Sequence, residues 1–130
     1  MGGSLEELAM LYETIKRRFG TAGVCLDTAH AYAAGYDGST AEGMLKFIAR
    51  AHRLMGFDAV KMFHLNDTRA LLNSNRENHE HWGKGRLGSE GLKALLTREE
   101  FAQTPGILET PMDGPGSDRA NLDFAKALSA

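Results

Sequence analysis

Three short apolar runs, each ending on a carboxylate or an imidazole and each set off from the next by a segment with helical spacing, constrain this chain more than any other feature. The run from 22 to 28 carries Val24, Cys25 and Leu26 and reads as a buried strand ending at Asp27. The run from 59 to 65 is a second strand, with His64 near its end, and residues 106 to 110 form a third that carries Glu109 and is stopped by Pro111. Between them stand helices. Ser4-x-x-Glu7 is a capping box that opens the first, with Leu5, Leu8, Tyr12, Ile15 and Phe19 on one face and Gly20 as its stop. Ser39-x-x-Glu42 opens the second, where Met44, Phe47, Ile48, Ala51, Leu54 and Met55 recur at helical spacing up to Gly56. Leu92, Leu95 and Leu96 mark a third, which Thr97-x-x-Glu100 recaps, and residues 121 to 128 form the last. The order α-β-α-β-α-β-α predicts an α/β fold with a parallel sheet and helices packed outside it.

Composition narrows the class. With 130 residues, 42% hydrophobic and 25% charged, the chain matches a single globular domain. Fifteen basic against seventeen acidic residues give a net charge of -2, so nothing global attracts a polyanion and any nucleic-acid contact must be local or metal-assisted. The single cysteine, Cys25, excludes an internal disulfide and suits a reducing compartment. No charged leader with an apolar core and no apolar run approaching a membrane span is present, so the expectation is a soluble, cytoplasmic protein with no membrane partner.

In parallel sheets of this kind chemistry gathers at the carboxyl ends of the strands, where Asp27, His64 and Glu109 all fall. His30 follows Asp27 closely, and Glu77 and His79 lie in a polar stretch, residues 66 to 86, that has no period of two or of 3.6. Carboxylate and neutral imidazole donors suit zinc, manganese or iron, and such mixed sets with room for water are typical of catalytic metals that promote hydrolysis. Each residue has a plainer reading. His64 alone is more often a hydrogen-bonded core histidine, Asp27 and His30 equally cap a loop, and Glu77, His79 and His81 by default form a solvated surface. Their joint occurrence favours the metal. Tyr36 and Trp82 read either as rings that stack on a base or sugar or, equally, as pocket walls or core edges. Arg69, Arg76, Lys84 and Arg86 make the 66 to 86 stretch basic on balance, which suits phosphate contacts and any exposed loop alike, and Gly83-x-Gly85 is a weak phosphate-turn signal. Met10, Met44, Met55 and Met62 read as core filler.

CLDTAHAYAAGYD (25 to 37), FHLNDT (63 to 68), ENHEHWGKGRLG (77 to 88) and ILETP (107 to 111), in this order across nearly the whole chain, resemble the endonuclease IV family. That resemblance implies a metal-dependent apurinic/apyrimidinic endonuclease of TIM-barrel fold, of which this chain supplies the carboxyl-terminal part: a partial barrel of the last three parallel strands with flanking helices. It implies that Asp27, His64 and Glu109 hold one zinc and that His30, Glu77 and His79 hold a second, within a three-zinc cluster, and it casts Glu109 and Asp27 as catalytic. Tyr36, Arg69, Trp82 and Lys84 become candidate DNA contacts. The implied substrate is double-stranded DNA with an abasic site, hydrolysed at the phosphodiester on its 5′ side after the nucleotide is flipped out.

The sequence departs from the family pattern in four ways. Glu77 and Asn78 stand where aspartate and arginine are usual, and glutamate adds a methylene between backbone and metal. Ala29 stands where cysteine is common. The choice of His79 over His81 rests on counting back from Gly83. Most of an eight-stranded barrel is absent, so two histidines and a bridging glutamate are expected upstream of Met1. Three strands of a barrel leave open edges and an uncovered apolar face. The chain is therefore expected to self-associate or to need an amino-terminal barrel half, and to be inactive alone. Two other functions compete: a sugar isomerase or epimerase of the xylose-isomerase-like barrels, and an inactive metal-binding remnant.

Overall fold

The computed structural model describes residues 3–130. Helix α1 (Leu5–Phe19) starts where Ser4 Oγ accepts the Glu7 N–H at 3.1 Å, while the Glu7 carboxylate reaches back to Gly3 N rather than to Ser4 N. It ends at Gly20, whose left-handed φ of 79° lets its N–H close on Lys16 O. Strand β1 (Val24–Asp27) runs directly into a short helix, α2 (Thr28–Ala33). Helix α3 (Ala41–Met55) is capped by Thr40, whose Oγ1 accepts the Gly43 N–H at 3.0 Å. Ser39, the expected cap, instead turns its hydroxyl to Asp37, so the capping box lies one residue further on and without its acidic partner.

Strand β2 (Val60–His64) follows, then a two-residue strand β3 (Asp67–Thr68) that pairs antiparallel with β4 (His79–Glu80). Helix α4 (Glu90–Leu96), strand β5 (Gly106–Ile107) and helix α5 (Ser117–Ser129) complete the chain. The main sheet is parallel in the order β1-β2-β5, with Asp27 opposite His64 and His64 opposite Ile107. This register places the strand ends level, so Asp27, His64 and the segment leading to Glu109 emerge at one edge. The long stretch from 66 to 86 is thus ordered around a small ribbon. Two paired residues per strand are too few to leave a periodic signal.

Val24, Leu26, Val60 and Phe63 form one core with Phe47, Ile48 and Ala51 of α3 and Leu92 and Leu95 of α4. The other side of β1 is open, for Cys25 is exposed, and the expected strand buried on both faces is buried on one. Helix α1 shows the same asymmetry: Leu5 and Tyr12 are buried, whereas Ile15 (46%) and Phe19 (68%) of the expected apolar face are exposed, as are Leu11 and Met10. Met44 is core filler, but Met10 is not. A groove of about 330 Å³ lies between the two elements, lined by Leu8, Leu11 and Ile15 of α1 and Val24 and Leu26 of β1. Its cause is topological, since β1 has a strand neighbour on one side only among the described residues. No helix among these residues is long and apolar enough to cross a membrane.

Candidate metal centre

Asn66, fully buried just beyond β2, knits the strand ends together. Its Nδ2 donates to Asp27 Oδ2 and to Glu109 Oε2, both at 3.1 Å, and its Oδ1 accepts the Glu109 N–H at 2.7 Å. Thr28 fixes the Asn66 backbone, its hydroxyl accepting from Asn66 N and donating to Asn66 O. Both carboxylates are thereby aimed before any ligand arrives. His64 joins them, with Nδ1 3.1 Å from Glu109 Oε2 and 3.6 Å from Asp27 Oδ2. Asp27 divides its two oxygens, for Oδ1 accepts the His30 N–H at 2.9 Å and caps α2 while Oδ2 belongs to this network. One carboxylate thus both caps α2 and joins the strand-end network.

His79 lies against the same set. Its Nδ1 is 3.0 Å from Glu109 O, and because a carbonyl can only accept, that nitrogen carries the proton. In the neutral ring Nε2 is then the lone-pair nitrogen, and it is buried with no hydrogen-bond partner among the described residues. An imidazole held by a backbone carbonyl through one nitrogen and unsatisfied at the other has the form of a metal ligand. Asp27, His79 and Glu109 each offer a ligand atom within 4.8 Å of the others. The donor set fits a divalent metal of the zinc type. Where the family resemblance groups His79 with His30 and Glu77, these positions group it with Asp27 and Glu109. His30 and Glu77 form a separate pair, Nδ1 to Oε1 at 2.8 Å, with both side chains about half exposed.

His81 is differently engaged. Its Nε2 lies 2.9 Å from each oxygen of Asp113, and its Nδ1 2.8 Å from Asn121 Nδ2. The hydrogen bond from His81 holds the Asp113 carboxyl below its ordinary range. With both nitrogens occupied, His81 is the poorer ligand of the two histidines. The loop that carries this pair is built on Asp67, fully buried, whose carboxylate accepts N–H groups from Thr68, Gly83, Gly85 and Leu87. A Cβ on Gly85 would run into the Asp67 carboxylate and the Thr68 carbonyl, so the wrap requires glycine there. Neither Asn66 nor Asp67 is singled out by sequence pattern; the signal available was two polar residues directly after an apolar strand.

Of the candidate DNA contacts, Trp82 is buried, with its indole N–H donated to Leu65 O at 2.9 Å, and is a core residue. Tyr36 meets Phe47 of α3 and accepts the Leu5 N–H at the start of α1, which makes it a joint between helices. Arg69, paired with Glu80, and Lys84 lie exposed. Although Cys25 is exposed as a residue, partial desolvation of its thiol and the negative Asp27 push the thiol pKa up.

A parallel three-stranded sheet, helices on one face and an acid–imidazole set at the carboxyl edge define a partial (β/α) barrel, and the chain belongs to the family described as xylose isomerase-like TIM barrel, whose model matches residues 1–128. Within it, the chain is 39% identical over 130 residues to the probable endonuclease 4 of Solibacter usitatus, covering 99% of this chain and 45% of that protein. It is 42% identical over 113 residues to the probable endonuclease 4 of Thermosipho melanesiensis, covering 87% and 40%. Among solved structures it is similar to endonuclease IV from Thermus thermophilus, with a TM-score of 0.83 and 39% identity over 98% of this chain and 44% of that one. The chain spans less than half the length of these relatives.

Proposed function

We propose that residues 1–130 are the carboxyl-terminal portion of a zinc-dependent abasic-site endonuclease, a DNA-repair hydrolase of the cytoplasm that cleaves the phosphodiester 5′ to the lesion in duplex DNA. One observation carries the chemistry: the buried, unpartnered Nε2 of His79, in a ring whose neighbours are the carboxylates of Asp27 and Glu109. Asp27, His64, His79 and Glu109 would hold metal at the strand ends, and His30 and Glu77 a further ion; manganese or iron suits the same donors. Zinc, when bound, supplies Lewis-acid stabilisation of phosphoryl oxygens and lowers the pKa of a bound water. The chain itself aims Asp27 and Glu109 through Asn66 and sets the His79 tautomer through Glu109 O. Of the cations of this stretch proposed to meet phosphates, Lys84 is exposed and Arg69 is exposed but paired with Glu80.

The test is incision of abasic-site duplex by this chain mixed with the amino-terminal half of a relative. Incision by the mixture, and none by either part, is the expected result, and Glu109→Gln should abolish it while moving stability by less than about 1 kcal/mol. Turnover of an aldose or ketose instead would establish a sugar isomerase. A second reading, an inactive metal-binding remnant, requires that no partner half restores incision.

The exposed stripe on α1 and the open edge of β1 support self-association of the chain alone. Sedimentation should show concentration-dependent oligomers that Ile15→Glu with Phe19→Glu disperses; a monomer at every concentration refutes it.

A further inference from the structure

His81, Asp113 and Asn121 form a chain of hydrogen bonds whose polarity can be assigned throughout. Asn121, 3% exposed, accepts the Trp82 N–H through Oδ1 at 2.8 Å and donates through Nδ2 to Ser117 O at 2.9 Å. These two bonds fix which way the amide points, so the group facing His81 Nδ1 is an NH2 donor. Nδ1 must accept, the proton sits on Nε2, and Nε2 donates to Asp113. Asp113 lies four residues after Glu109, and His81 two after His79. The two segments are therefore joined twice, by His79 Nδ1 to Glu109 O and by His81 Nε2 to Asp113.

We infer that His81 is a positioning residue: a latch, set in its Nε2–H tautomer by Asn121, that ties the segment after Glu109 to the loop bearing His79 and so holds those two metal-binding groups in register. This rests on the reading of Asp27, His79 and Glu109 as metal ligands. The latch does not coordinate. A ring whose two nitrogens are committed to Asn121 and Asp113 acts through the backbone on either side of it.

The experiment is zinc titration of the full chain against a chromophoric chelator, with nitrogen NMR of the histidine rings. Partners that orient ligands are commonly worth 10–100-fold in metal affinity, so His81→Ala should weaken zinc binding about 10-fold or more. His81→Gln, which keeps a donor for Asp113 beside an acceptor for Asn121, should restore affinity to within about 3-fold of the native chain, a small part of the loss such partners cause. Asp113→Ala, on an exposed side chain that threatens no core packing, should reproduce the loss if His81→Ala does not fold. NMR should find His81 protonated at Nε2 before and after zinc. Unchanged affinity in His81→Ala or Asp113→Ala, an Nδ1–H tautomer, or loss of the Nε2 proton on adding zinc each overturns the latch. Should the native chain bind no zinc, the metal reading fails and the latch is decided by amide exchange at Glu109 and Thr110. Protection lost in the alanine variants and kept in His81→Gln supports it; equal protection in all overturns it.

Discussion

The strand-end set and the His30–Glu77 pair share neighbours in the sequence yet are built in opposite ways. At the strand ends, a buried asparagine holds two carboxylates, a backbone carbonyl sets one imidazole, and the residues flanking Asp27 and His64 are buried, although the Glu109 side chain is itself 43% exposed. His30 and Glu77 sit half exposed on a helix and a loop, joined by one contact, and such pairs are worth at most about 1 kcal/mol. The first set is organised by the fold itself, whereas the second is held by a single contact at the surface. Metal affinity and protein stability should therefore be coupled at one set and separable at the other.

Asp67→Ala should do the greatest damage, because it strikes the loop that serves both sets. Hydrogen bonds to a charged acceptor are worth about 1.5–3 kcal/mol each and are not additive, so the loss of four acceptor contacts should cost about 3 kcal/mol or more in urea unfolding. If it costs under about 1 kcal/mol, a loss typical of one neutral hydrogen bond, the loop is not organised by this carboxylate. Asn66→Ala should cost about 2 kcal/mol and lower zinc affinity 10–100-fold while leaving the His30 ring resonances in place. Equal disturbance of His30 would dissolve the distinction between the sets. The smallest effect belongs to Glu77→Asp, which restores the side chain expected from the family pattern. Stability should move by less than about 0.5 kcal/mol, as for other exposed positions, and a larger shift in calorimetry would show that Glu77 is tied into the fold.

The order of the long helices and the three parallel strands was legible because caps and apolar spacing are written along the chain, as Ser4, Gly20 and the run 59 to 65 illustrate, whereas the short α2 and the β3–β4 ribbon were not. Strand-end residues could be placed near one another by the parallel topology alone. What sequence order hides is polar bonding across distance. Asn66 meets partners 38 to 43 positions away, and Asp67 collects N–H groups 16 to 20 positions on, with nothing periodic to announce either. Trp82 was ambiguous for a related reason, since an indole suits a pocket wall or the core until its N–H finds an acceptor. The exposure of Ile15 and Phe19 reflects neighbours that a helical period cannot count.

The shared carboxylate of Asp27 restricts how this surface can change. One oxygen begins α2 and the other faces Asn66, so a substitution made to alter the strand-end carboxylate also frays the helix that presents His30. Adaptive steps at this position are thus epistatic by construction. A lineage could re-tune Glu77 or His30 in isolation, but revising Asp27 would demand a compensating helix start in the same step, leaving few viable mutational paths through it.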